Sequence, residues 1–190
     1  MRAFSEKNLI GQELKPSSFM TRIFIPMNTE LRLMVPRDIY FRAQVLCEDV
    51  YELTENRFKL GNLVEMLWED FLDYVRRKQD IKATYQLLLE YDQGTPNVRL
   101  KKYDEKNIEE VPLYPVRKPS IDDEVEVFYS KMKRKDALRG EVMLSDIAQL
   151  FPNHHFTLER VLEILLIDFI VKYSKGEAQK IVKEFLDDEK

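Results

Sequence analysis

The chain has a single cysteine, Cys47, so no disulfide can form within it. That excludes a disulfide-stapled scaffold and a thiolate metal cage, and makes the reducing cytoplasm the expected compartment. Cys47 lies between apolar neighbours and is expected to be a small packed side chain. Glycine and proline are also scarce, five and eight among 190 residues. No Gly-rich phosphate loop can be written from them, and the long periodic segments run with few interruptions, which favours helix. The two histidines, His154 and His155, sit side by side without a second group of ligands, so no metal site is expected. Neither a nucleophile elbow nor a zinc spacing occurs. The paired acids Glu69-Asp70, Asp122-Asp123 and Asp187-Asp188 suit solvated surface. The chain is accordingly read as non-enzymatic, with no catalytic residue, metal or cofactor.

Long hydrophobic runs are missing too. The most apolar stretch, Ile164 to Val171, is interrupted by Asp168 and is too short to cross a bilayer. Met1 to Lys15 lacks the apolar core of a signal peptide, so no membrane partner is expected. Net charge is −4 and the isoelectric point about 5.4. This argues against indiscriminate binding to nucleic acid, although a local basic surface is compatible with it.

What is present is helical periodicity. From Phe58 to Val75 the residues Leu60, Leu63, Leu67, Phe71 and Tyr74 fall on one helical stripe, flanked by Val64, Trp68, Leu72 and Val75. Phe156 to Tyr173 echoes it. Phe58, Leu60, Glu65, Leu67, Asp70 and Phe71 recur at constant separation as Phe156, Leu158, Glu163, Leu165, Asp168 and Phe169. Two explanations are open: a diverged internal repeat, or the chance alignment of two amphipathic helices rich in Leu and Phe. The matched Glu and Asp positions, which lie off the apolar stripe, favour the repeat.

In chain order, residues 1–20 read as an N-terminal arm without clear period. Residues 21–92 form a strand-helix-helix module. In Glu30-Leu-Arg-Leu-Met-Val-Pro36 the residues Leu31, Leu33 and Val35 alternate with Glu30, Arg32 and Met34, a half-exposed strand closed by Pro36. Ile39, Ala43, Leu46, Val50 and Leu53 then give a helix over Arg37–Asn56. The second helix runs to Lys78, with the cations Arg76-Arg-Lys78 at its end, and a third spans Ile81–Tyr91. Residues 93–123 read as a linker containing Pro112, Pro115 and Pro119, with Val98–Tyr103 as a short strand. Residues 124–190 form a second strand and helical module. It has a strand at Glu124–Tyr129, a basic helical piece at Lys131–Arg139 stopped by Gly140, and a short helix capped by Ser145. A prominent helix follows, capped by Thr157 and stopped by Gly176, and an amphipathic helix over Glu177–Asp188 ends the chain. A helix-turn-helix reading of Ser145–Tyr173 fails because its second helix is too apolar to read bases. The expected fold class is mainly α with short β-strands.

The order strand, proline, helix, helix over residues 30–78 resembles the ribbon-helix-helix family of Arc- and MetJ-like DNA-binding proteins. In that family two subunits interlock through the second helix, and their strands pair into an antiparallel ribbon that enters the major groove. The resemblance implies that Glu30, Arg32 and Met34 face DNA bases, with Arg32 on a guanine edge and Met34 near a thymine methyl. It implies phosphate contacts from Arg22, Arg37 and Arg42 and from the start of the second helix at Gly61 and Asn62. Leu63, Leu67 and Phe71 would belong to the core or dimerisation helix. Double-stranded DNA is the implied partner. The pairing would come from self-association or from the two halves of one chain acting as a pseudo-dimer. The alternative is a protein-interaction or adaptor module that binds no nucleic acid, in which the same helices and the linker dock a partner.

Overall fold

A computed structural model describes residues 2–14, 26–92 and 124–176. Arg22, the 93–123 linker with its expected strand, and the helix expected from Glu177 lie outside the described residues. Within them the protein is mainly helical, with one small antiparallel sheet. The elements are α1 (Leu9–Glu13), β1 (Asn28–Pro36), α2 (Arg37–Thr54), α3 (Leu60–Lys78), α4 (Ile81–Asp92), β2 (Val125–Lys133), α5 (Arg134–Leu150) and α6 (Leu158–Ser174).

Strict alternation makes β1 a strand, and it buries Leu31, Leu33 and Val35. Pro36 closes the strand and hands the chain to Arg37, the first residue of α2. That helix buries Ile39, Ala43, Leu46 and Cys47, the apolar stripe read from the sequence together with the cysteine. The helix α3 buries Leu63, Val64, Trp68, Phe71 and Leu72, with Leu67 half-buried against the same core. Its last turn carries Arg76, Arg77 and Lys78, where cations complement the helix dipole. Thr157 caps α6, its hydroxyl accepting from the Arg160 N–H at 3.3 Å, and the chain turns at Gly176 with φ 79°. From Leu158 to Ile170, every residue of α6 except Asp168 is buried, so this helix is the centre of the molecule.

The strands pair between the two halves. Their nine-residue register runs from Asn28 opposite Lys133 to Pro36 opposite Val125. The packing beneath is crossed: β1 lies on α6 and β2 lies on α3, while α3 packs on α6. One hydrophobic core therefore takes residues from both halves. Residues 2–14 complete it. Phe4 and Leu9 are buried, and the Phe4 carbonyl accepts from the Leu158 N–H at 2.7 Å. The fully buried Glu141 carboxylate accepts from the N–H groups of Leu9 and Ile10, each at 2.8 Å, and from the Ser5 hydroxyl.

Two expectations are corrected here. Lys131–Lys133 belong to β2 rather than to a helix, and α5 runs unbroken from Arg134 to Leu150, through both Gly140 and Ser145. Gly140 is a contact point and does not stop the helix. A Cβ placed there would lie 2.7 Å from the Trp68 ring and 2.7 Å from the Leu158 side chain. The indole, fully buried, also donates from Nε1 to the Asp136 carbonyl at 3.3 Å. Glycine here lets α3, α5 and α6 approach closely. Alanine in a helix normally gains up to about 1 kcal/mol over glycine, but overpacking costs about 1–3 kcal/mol. Gly140→Ala is expected to lower the free energy of unfolding in urea by about 1–2 kcal/mol. A more stable variant would show that the contact is not tight.

Candidate nucleic-acid interface

Because side chains alternate along a strand, burying one face of the ribbon displays the other. The buried face holds Leu31, Leu33 and Val35 from β1 and Phe128, Ser130 and Met132 from β2. The outward face carries Glu30, Arg32 and Met34 beside Val127, Tyr129 and Lys131. Across the ladder Glu30 stands opposite Lys131, Arg32 opposite Tyr129, and Met34 opposite Val127. The Arg32–Tyr129 pair is central in the register. Tyr129 is 62% exposed and Val127 41% exposed, so both project into solvent.

The ribbon is tied down from beneath by charge as well as by packing. The Met34 N–H donates at 2.9 Å to Oε1 of Glu163, a carboxylate only 1% exposed on α6. Met34 lies on a strand of a two-stranded sheet, whose outer backbone groups need partners from elsewhere. Oε2 of the same carboxylate lies 3.7 Å from the buried Arg160 guanidinium. Arg160 in turn donates from Nε to Asp92 at the end of α4 at 3.0 Å, and Asp92 pairs with His155 at 2.8 Å. Burial pushes the Asp92 carboxyl up, but the His155 hydrogen bond and the Arg160 charge together hold it below its usual value. On the other side, Lys133 of β2 reaches Glu65 at 3.4 Å and Glu69 at 3.1 Å, both on α3. Glu65 and Glu163, matched in the sequence echo, thus each hold the strand of the other half.

The site residues expected from sequence divide into groups. Glu30, Arg32 and Met34 come together on the outward face. Leu63, Leu67 and Phe71 face the core of α3. Arg42 is exposed on α2 and Asn62 on α3, where the Asn62 Oδ1 accepts from the Lys59 N–H at 3.0 Å; Gly61 beside it is half-exposed. Arg37 is held by Glu126, 2.7 Å from its Nε, and by Glu124, so its charge is largely neutralised by β2. Arg22 lies outside the described residues. The sequence reading missed Tyr129 and Lys131 as neighbours of Arg32. The available signal was the outward series Val127, Tyr129, Lys131, Lys133, but Ser130 at a buried position hides the alternation. Around the ribbon, Lys131 and Lys135 are exposed near its Asn28 end, while Glu124 and Glu126 mark the other end.

Among the described residues no group of three or more His, Cys, Asp or Glu is placed to hold a metal, and no helix is long and apolar enough to cross a membrane. Cys47 is buried, and burial pushes its thiol up to about 12. No protein-family model, curated protein or solved structure matches the chain.

His154 lies under the arm. It is 3% exposed and stacked on Phe4, with Nε2 donating to the Leu144 carbonyl at 3.2 Å. Burial, aided by the Arg2 charge, lowers it from 6.5 to about 4. A histidine kept neutral by folding takes up a proton more readily when unfolded. Its contribution is whole above pH 6.5 and declines as pH falls toward about 4. Asp92, held below its ordinary 3.8, adds stability above that value that is lost as pH falls through the folded value. Urea unfolding is expected to lose on the order of 2 kcal/mol between pH 6.5 and 4.5. His154→Gln, which keeps a donor for Leu144, should show a shallower decline; an unchanged slope would assign the effect elsewhere. At pH 7, Asp92→Ala should cost on the order of 3 kcal/mol, because it strips a partner from buried Arg160.

Proposed function

We propose that this protein binds double-stranded DNA through its ribbon, with one chain supplying both strands. The observation that carries the reading is the register, which sets Arg32 against Tyr129 at the centre of the ladder with Glu30, Met34, Val127 and Lys131 on the same outward face. A two-stranded ribbon is narrow enough to enter the major groove. There the Arg32 guanidinium suits the O6 and N7 of guanine, Met34 and Val127 suit thymine methyls, and Glu30 suits the cytosine amino group. Lys131, Lys135 and Arg42 are the exposed cations for phosphate, with the start of α3 at Gly61 and Asn62 beside them in role.

In this reading the chain is a ribbon-helix-helix pair joined in one polypeptide. Laying Asn28–Pro36 on Val125–Lys133 superposes Arg32 on Tyr129, which is also the central pair of the ladder. That coincidence is what a local two-fold axis through the ribbon would produce. The same overlay sets Arg37 on Arg134, each the first residue of its helix. In the helices that follow, Lys59 and Thr157 correspond, and both precede their helix in nearly identical extended backbone, φ −118° and −117°. The crossed packing of each strand on the other half's second helix is the interlocking expected of such a pair.

Retention of a mixed duplex pool is expected to fall steeply as salt rises, since phosphate contacts release counterions. Arg32→Ala should weaken binding by about 1–3 kcal/mol and relax sequence preference. Lys131→Ala should weaken all duplexes alike and flatten the salt dependence. If no duplex is retained at any salt concentration, the proposal fails. The protein-contact reading, favoured by Phe41 and Val45 at 52% and 54% exposed on α2, would then replace it.

A further inference from the structure

From the same face, and resting on the DNA reading, we infer that the target is a non-palindromic duplex site bound by one chain in one orientation. A ribbon made by two identical subunits shows the same side chains from both strands, and its operator mirrors that symmetry. Here the ribbon is complete within one chain, and its strands differ at every corresponding outward position. Glu30 corresponds to Val127, Arg32 to Tyr129, and Met34 to Lys131. At the centre, where a symmetric ribbon would place two copies of one residue, an arginine faces a tyrosine. The local two-fold thus holds for the backbone and fails for the side chains that would meet bases.

The ends of the ribbon differ in charge as well. Near Asn28 stand the exposed Lys131 and Lys135, while Lys133 is tied to Glu65 and Glu69 and Arg134 to Glu13. Near Pro36 stand Glu124 and Glu126, which hold Arg37. The field therefore runs from basic to acidic along the ribbon. Rotating the protein by half a turn on a given site would bring the carboxylates to the phosphates that the lysines had met, and like charges repel. The arm adds a third difference: the Phe4 carbonyl takes the Leu158 N–H at the start of α6, while at the corresponding start of α3 Asn62 is exposed. Orientation is thereby fixed by charge, and base preference by non-identical strands.

The test is selection of duplexes from a randomised pool with the full chain, followed by sizing of the complex on the enriched duplex. A non-palindromic motif carrying one chain per duplex is the expected result. A cleavage reagent attached through Lys135→Cys should cut on one side of the motif only, Cys47 being buried. The double variant Arg32→Tyr with Tyr129→Arg should lose about tenfold in affinity for the parent motif, one misread bidentate contact. A palindromic motif, two chains on one site, or symmetric cutting would overturn the inference and leave DNA binding standing. So would salt-sensitive retention with no motif enriched, which marks contact with the backbone alone. Retention of no duplex at all would sink the DNA reading and this inference with it.

Discussion

The antiparallel pairing of β1 with β2 is the constraint on which the rest depends. A two-stranded ribbon alone is marginal in water, because its backbone bonds are few and one face must be covered. Here each strand is covered by a helix from the other half of the chain: β1 by α6 and β2 by α3. The consequence is cooperativity between halves that are far apart in sequence. Neither strand can be buried unless both have formed, and the core that buries them draws on residues from Phe4 to Ile170.

Charge placed inside this core has a positional role. Burying Glu163 and Arg160 is costly unless both are paired and hydrogen-bonded. The chain meets that condition with a continuous series from His155 through Asp92, Arg160 and Glu163 to the Met34 N–H. Buried pairs of this kind add little net stability over an apolar core, but they admit few geometries. The series ends on the backbone of the residue beside the outward face, so it fixes how Met34 and its neighbours are presented. Gly140 acts in the complementary way. By omitting a side chain it lets Trp68 and Leu158 close on α5, and so sets the spacing of the three helices beneath the ribbon.

Much of the fold was legible in the sequence where the pattern is local. The alternation in β1, the stripe of α2, the amphipathic α3 and the cap at Thr157 each follow from residues a few positions apart. The signals that misled are equally specific. Val125 and Val127 alternate with Glu124 and Glu126, yet the face that is buried carries Phe128, Ser130 and Met132. Ser130 breaks the apolar series at the point where the strand continues. Gly140 carries the local signature of a helix stop, but its use is set by Trp68, a residue distant in the chain. For the candidate site, Glu30, Arg32 and Met34 could be read from β1 alone, while Tyr129 and Lys131 could not.

What the sequence by itself determined is therefore the set of local conformations: which segments are helical, where β1 lies, and which of its side chains share a face. These depend on periodicity and caps, whose interactions span one or two turns. The tertiary structure decided that the partner of β1 is β2 in the same chain, in a register centred on Arg32 and Tyr129. It also decided that Glu163 serves β1 rather than solvent, and that Arg37 is held by Glu124 and Glu126. Those choices are contests between contacts made across the whole chain. They are settled by which arrangement buries both strand faces while leaving no interior charge unpaired, a condition that no single stretch of sequence states.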